Sequence, residues 1–178
     1  GLSEYIMKKY SDDEKLMNTS FTQGDIITTV IKCANGETIT LTLDTTLPRY
    51  YTRNLCVHGT KALYDEKNDS IVIDGDEFDE VNWKPNWGNA EKYTEQYDHP
   101  IWKEYLKEGV QKGHGGMDWL VVNDFVRCVL ENKPMPIDAY DAAAWMSVTA
   151  LSEQSISNRS SPVSIPDFTT GQWSHMFT

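Results

Sequence analysis

The residues best placed to do chemistry stand together in the stretch GHGGMDW, residues 113–119. It sets a histidine, flanking glycines and an acid at the mouth of a long amphipathic segment. His114 is the side chain there whose ordinary pKa lets it take or give a proton near neutrality, and the glycines leave the backbone free to turn sharply around it. Such a stretch makes either one wall of a binding site or a loop followed by a helix cap. Asp118 falls in the first turn of the expected helix, where a carboxylate accepts backbone N–H groups and meets the positive end of the helix dipole. An acid facing a pocket would also suit that place, and Asp118 is read as a structural N-cap. Residue types alone would allow a mononuclear metal site from His58, His114 and Asp118. Gly115 and Gly116, however, put His114 outside the helix that carries Asp118, so no metal site is expected.

Other chemistries are excluded by spacing. Gly113-His114-Gly115-Gly116 follows a helical segment rather than a strand and lacks the G-x-G-x-x-G spacing that lets a backbone approach a pyrophosphate, so no dinucleotide is expected on this chain alone. The sequence has no G-x-S-x-G elbow, phosphate-binding Walker loop or H-E-x-x-H pair, and Cys128 sits mid-helix without a nearby base. A net charge of -11 without any Lys/Arg cluster argues against nucleic acid and anionic membranes as partners. No apolar run approaches the ~20 residues that would cross a bilayer, and no signal segment is visible, so a soluble chain is expected. Cys33, Cys56 and Cys128 are odd in number and lie in apolar segments, which reads as buried free thiols.

The elements that must position these residues follow in order along one expected domain, 178 residues long. Leu2–Tyr10 reads as a short strand and Ser11–Asn18 as a charged loop. Ile26–Cys33 and Thr38–Asp44 are rich in Ile, Val and Thr. The second alternates so that Ile39, Leu41 and Leu43 share a face, and Asn35-Gly36 between the two supplies a tight hairpin turn. Further strands are expected at Asn54–His58, Ala62–Tyr64 and Ser70–Asp74. Their short connections imply one meandering, mainly antiparallel open sheet. Gly75–Glu91, with Trp83 and Trp87, reads as an irregular flap.

Helical spacing then takes over. Asp98-His99-Pro100 is a start signal for a helix over Ile101–Gln111. Over residues 118–131 a helical projection puts Val121, Val122, Phe125, Cys128 and Val129 on one side, with Asn123, Asp124, Arg127 and Glu131 on the other. Lys133-Pro134-Met135-Pro136 stops that helix. The next is capped by Asp138 with Asp141 in its first turn, and Trp145, Val148, Thr149, Ser152 and Ile156 make one face. Both helices are expected to pack together on one side of the sheet, giving an α+β fold, with Val163–Ile165 as a last edge strand.

Resemblance adds what spacing does not. The run GHGGMDWLVVNDFVRCVLENKPMPIDAYDAAAWMSVTALSEQSI, with SPVSIPDF after it, resembles the C-terminal part of the Gfo/Idh/MocA oxidoreductase family. More narrowly it is similar to the branch of NAD-dependent α-N-acetylgalactosaminidases, glycoside hydrolase family 109. TLPRYYTRNLCVHGTKALYDE and the hairpin before it also resemble that branch, so the likeness runs from about Leu2 to Trp173. It implies a parent with an N-terminal Rossmann domain holding NAD(P) and a C-terminal α/β domain whose open sheet often forms the subunit interface. Only the second would be present here, as a C-terminal substrate and dimerisation domain binding no cofactor itself. The start at Gly1-Leu2, without a methionine, fits a fragment of that kind.

For the parent, the resemblance implies an oxidoreductase-like glycosidase acting on a sugar or amino sugar. Bound NAD would oxidise the hydroxyl at C3, the leaving group would be eliminated, water added and the hydride returned. Tyr51 falls where the branch carries the tyrosine of Leu-Pro-Arg-Pro-Tyr-Ser-Arg, implying a hydrogen bond to the sugar. Arg49 and Arg53 match the arginines of that pattern, and His114 matches the motif histidine. This chain departs from the pattern at Tyr50, which stands in place of a proline. Trp83, Trp87 and Trp102 could stack on sugar faces, with core or flap packing the favoured expectation. A plain NAD(P)-dependent sugar or polyol dehydrogenase is the runner-up. A non-catalytic scaffold forming a homo-oligomer through the open sheet face, or a carbohydrate-binding module, are readings from other classes. Residence in the cytoplasm and export from a bacterial cell both remain open on sequence.

Overall fold

The structure, a computed structural model, describes residues 1–76, 81–109 and 113–175. The chain divides into two compact units, Gly1–Leu47 with Met117–Thr178, and Pro48–Gly116. The architecture is α+β, with small antiparallel sheets and helices.

In the first unit the Asn35-Gly36 turn folds β1 (Ile26–Lys32) onto β2 (Thr38–Asp44), with Ile27 opposite Leu43, Thr29 opposite Leu41 and Ile31 opposite Ile39. Gly36 takes φ +105°, a conformation that other residues adopt only under strain. Directly opposed residues share a face, so five aliphatic side chains and Thr29 form one largely apolar surface. On β1 that surface is half-buried, and the Thr29 hydroxyl meets the Ser152 hydroxyl at 2.9 Å. Ser152 belongs to α6 (Ala139–Ser157), which therefore lies against β1.

Two expectations fail at the start of the chain. Leu2–Tyr10 is not a strand but a helix, α1 (Leu2–Lys9), and the charged loop contains a helical turn, α2 (Glu14–Met17). In eight residues both hydrophobic periods can be read, and the helix ends decide. Glu4 lies in the first turn and Lys8 and Lys9 in the last, each complementing the dipole, while Asp25 Oδ1 accepts the Leu2 N–H at 3.2 Å. Asp13 caps α2 by accepting the Leu16 N–H at 3.0 Å.

The second unit holds β3 (Cys56–His58), β4 (Ala62–Asp65) and β5 (Ser70–Ile73) as a separate antiparallel sheet in the order β3-β4-β5. Among the described residues the five strands thus form two sheets rather than one meander, because Leu47–Leu55 carries no ladder between β2 and β3. The expected flap contains a 3-10 turn at Lys84–Asn86 and then α3 (Glu91–Tyr97), with residues 77–80 outside the described residues. Asn89 fastens this stretch to the sheet. Its side-chain oxygen accepts the Ile71 N–H at 2.7 Å and its amide donates to the Ile71 carbonyl at 2.9 Å, so it takes the place of a neighbouring strand on β5. The next helix, α4 (Pro100–Glu108), begins as expected, with His99 Nδ1 accepting the Ile101 N–H at 3.2 Å. Residues 110 and 111 of its expected span lie outside the described residues.

The two long helices appear where periodicity places them, as α5 (Met117–Glu131) and α6 with its Asp138/Asp141 capping box. Their inward faces differ from the projection. On α5 the covered stripe is Met117, Leu120, Asp124 and Cys128, while Val122, Phe125 and Val129 are exposed. On α6, Val148 and Ser152 are covered and Trp145 and Ile156 are more than half exposed. Val163–Ile165 is not a strand; prolines at 162 and 166 bracket it and remove ladder donors. All three cysteines are free, but only Cys128 is buried. Cys33 is half-buried and Cys56, on the three-residue strand β3, is exposed.

Candidate functional site

His114 occupies a turn built almost wholly in left-handed backbone. Gly113, His114, Gly115 and Gly116 have φ of +84°, +39°, +66° and +97° in succession, and the Gly116 N–H donates to the Gly113 carbonyl at 2.6 Å. Glycine takes such angles at little cost, whereas His114 stores roughly 1–2 kcal/mol of strain. Non-glycine residues held this way concentrate at sites of function. The far end of the turn is fixed by packing. A Cβ on Gly116 would stand 2.0 Å from the hydroxyl of Tyr105, which is 2% exposed on α4 and meets Trp102 edge-to-face at 5.8 Å. His114 itself is exposed.

The Tyr51 loop is held at its base by one carboxylate. Glu66 Oε2 accepts the Leu55 N–H at 2.7 Å and the Thr52 hydroxyl at 3.4 Å, and the Glu66 N–H donates to the Leu55 carbonyl at 2.9 Å. Thr52 Oγ1 in turn accepts the N–H of Asn54, whose φ is +52°. Above this base Tyr50 and Tyr51 project 93% and 92% exposed, and Arg49 and Arg53 are exposed beside them. The loop therefore pairs an ordered footing with aromatic and guanidinium groups turned outward.

Arg49, Tyr51, Arg53 and His114 all belong to the Pro48–Gly116 unit. Asp118 belongs to the other unit, exposed at the second residue of α5, where its charge faces the positive helix end. Trp83 and Trp87 are 55% and 48% exposed, against the expectation of packing, because the 3-10 turn between them is too short to bury either ring. Trp102 is half-buried beside Tyr105, as packing requires.

Sequence reasoning missed Glu66 and Tyr105, which shape the site without being candidates for chemistry, and Asn89, which holds the edge of β5. Glu66 sits in a turn of acids and amides that reads as ordinary surface, and its carboxylate acts on a loop 11 residues away. The hydrogen bond from Tyr93 to Asp76, 2.8 Å, holds the Tyr93 phenol above its ordinary range, and burial does the same for Tyr64.

Among the described residues no group of three or more His, Cys, Asp or Glu could hold a metal ion. Nor does the glycine turn fit a dinucleotide. It follows a helix, its Gly116 N–H is already engaged within the turn, and the approach to Gly116 is filled by the Tyr105 ring. Among the described residues no helix is long and apolar enough to cross a membrane.

Comparison with known proteins matches residues 1–175 to the model of the glycosyl hydrolase 109 C-terminal domain. A glycosyl hydrolase family 109 protein of Stenotrophomonas maltophilia is 43% identical over 97% of this chain and 37% of its own length. The α-N-acetylgalactosaminidases of Tannerella forsythia and Shewanella oneidensis are 37% and 36% identical, each over 98% of this chain and over 36% and 38% of their own lengths. The chain belongs to the glycosyl hydrolase 109 family, to its C-terminal domain. It spans little more than a third of the curated relatives it matches.

Proposed function

We propose that this chain is the sugar-facing C-terminal part of a glycosidase that cleaves α-linked N-acetylgalactosamine. The observation that carries the reading is the family match over residues 1–175, together with relatives named α-N-acetylgalactosaminidase. The geometry favours a contributory role. An exposed tyrosine and two arginines rise from a loop clamped by Glu66, and a strained histidine projects from a turn fixed by Tyr105. Tyr51 hydrogen-bonds the sugar, Arg49 and Arg53 donate to its hydroxyl or acetamido oxygens, and His114 holds or moves a proton at a sugar hydroxyl. A nicotinamide cofactor, held by parts of the parent outside this chain, supplies hydride chemistry when bound. The exposed Ile26 and Val30, on the side of β1 away from α6, support an interface between copies through the open sheet face.

The test is hydrolysis of an aryl α-N-acetylgalactosaminide by the full-length parent. His114→Ala and Tyr51→Phe are expected to lower kcat by about 10²–10⁴ and 10-fold or more respectively. Arg49→Ala and Arg53→Ala are expected to act mainly on KM. A parent that fails to release the aryl group, or a His114→Ala enzyme with unaltered kcat/KM, overturns the reading. Acid extraction of the purified parent would release a nicotinamide dinucleotide.

A further inference from the structure

Glu66 stands where the turn between β4 and β5 meets the Tyr51 loop, and the bonds on each side show which of the two holds the other. The turn, residues 65–69, is fastened from within. Asp65 Oδ1 accepts the Lys67 N–H at 2.9 Å and its Oδ2 accepts the Asn68 side-chain amide at 3.0 Å, while the Asp69 N–H donates to the Glu66 carbonyl at 3.2 Å. It is fastened from outside as well, because the Asn68 and Asp69 carbonyls accept the N–H groups of Gly88 and Ala90 at 2.9 and 3.1 Å. Its first residue also lies in the ladders, with Asp65 opposite Cys56 on one side and Ser70 on the other. The backbone that carries Glu66 is therefore fixed without help from the loop.

The loop is built differently. Residues 49–55 carry neither helix nor ladder, and Asn54 holds φ +52°, a conformation uncommon outside glycine. One relay supports that conformation. The Asn54 N–H donates to Thr52 Oγ1 at 2.8 Å, the Thr52 hydroxyl donates to Glu66 Oε2 at 3.4 Å, and the Leu55 N–H donates to the same Oε2 at 2.7 Å. Two donors from the loop thus converge on one oxygen of a half-buried side chain, and a carboxylate oxygen has the lone pairs to accept both. The turn is the fixed partner and the loop is the held one.

We propose that Glu66 is a positioning residue, whose Oε2 sets the backbone at residues 52–55 and through it the place from which the Tyr51 hydroxyl meets the sugar. This inference rests on the Tyr51 contact proposed above. The loop needs from Glu66 an acceptor at the right reach rather than a negative charge. Both bonds end on a single oxygen, and the ion pairs among the described residues do not include Glu66.

The experiment follows hydrolysis of an aryl α-N-acetylgalactosaminide by the full-length parent and its variants, each checked for native folding by near-ultraviolet circular dichroism. Glu66→Gln keeps an acceptor oxygen at the same reach and is expected to hold kcat/KM within about 3-fold. Glu66→Asp keeps the charge but draws the oxygen back by a methylene, and both it and Glu66→Ala are expected to lose about 10–100-fold. An aspartate variant more active than the glutamine variant overturns the proposal. A cycle with Tyr51→Phe separates positioning from a merely structural role. With the Tyr51 hydroxyl gone, the Glu66→Ala loss should shrink to about 3-fold or less, and a loss that persists undiminished overturns the proposal. Thr52→Val, which removes one loop donor and the acceptor of Asn54, serves in the same cycle if the Glu66 variants misfold. Tyr51→Phe on its own tells the two readings apart. Without effect, it ends the sugar contact and this inference together; a lowered rate beside an unaltered Glu66→Ala leaves the contact standing and overturns the positioning alone.

Discussion

The ring of Tyr105 occupies the space that a side chain on Gly116 would need, with its hydroxyl 2.0 Å from where a Cβ would be. Gly116 also holds φ +97°, and Tyr105, 2% exposed, has no open solvent to retreat into. Gly116→Ala therefore meets both backbone strain and overpacking. A loss of about 2–3 kcal/mol is expected in urea denaturation of the full chain. Gly115→Ala, where φ is +66° but nothing lies within 4 Å, is expected to cost less, about 1 kcal/mol. Equal effects from the two substitutions would mean that the Tyr105 contact does not fix the His114 turn.

Asn89 makes two hydrogen bonds to the backbone of Ile71, one accepted at 2.7 Å and one donated at 2.9 Å. Asn89→Ala leaves both groups at the edge of β5 without that partner, and about 1–2 kcal/mol of stability should be lost. Asn89→Asp keeps the acceptor but turns a carboxylate toward the Ile71 carbonyl, so it should not restore the loss. The sensitive measurement is amide exchange. The Ile71 N–H should exchange far faster in Asn89→Ala while the Leu63 and Val72 pair in the adjoining ladder stays protected; an unchanged Ile71 rate would refute the edge-strand role.

Much of this framework can be read from sequence because the relevant signals are local. Asn35-Gly36 between two β-branched runs leads to the β1-β2 hairpin, and Asp138 with Asp141 leads to the capped start of α6. The errors come where the deciding partner is distant or external. α1 depends on Asp25, 23 residues from the Leu2 amide it accepts, and Tyr51 depends on Glu66 for its footing. The inward face of α5 is misread for another reason. Periodicity finds the most apolar arc, Val122–Phe125–Val129, but it does not say which apolar arc this chain covers itself. His114 could be singled out by its glycine neighbours, whereas the close approach of Tyr105 that requires Gly116 is a tertiary fact with no sequence signature.

Asp167 organises the turn after the last helix. Its Oδ1 accepts the Thr169 N–H at 2.9 Å and hydroxyl at 2.8 Å, and its Oδ2 accepts the Gly171 N–H at 2.5 Å. The Thr169 side-chain bond first, then the backbone bonds, hold the carboxyl below its ordinary pKa. The sign follows from the depressed value. The turn's stabilisation is fully present above the unfolded-state pKa and is lost as pH falls through the lower folded-state value. A carbon-detected NMR titration should show Asp167 titrating below the ordinary aspartate range, with the Gly171 amide moving in step. Thr169→Val should bring the carboxyl back toward the ordinary range, and a titration that ignores Thr169 would break the proposed link.

The contact between Thr29 and Ser152 carries a direction that can be tested. Ser152 has one hydroxyl proton, and it is donated to the Val148 carbonyl at 2.7 Å, one turn back on α6. The proton in the 2.9 Å contact between the two hydroxyls must then come from Thr29, with Ser152 accepting. Thr29→Val removes the donor and leaves Ser152 with its helix bond, so the half-buried site loses little. Ser152→Ala removes the acceptor and strands a half-buried hydroxyl on β1, which is the costlier change. Alanine's better helix propensity offsets part of that cost, so single variants alone mislead. A double-mutant cycle of Thr29→Val and Ser152→Ala cancels the propensity terms and should return a coupling of about 0.5–1.5 kcal/mol by chemical denaturation. A coupling near zero would mean that α6 is not held on the hairpin through this pair.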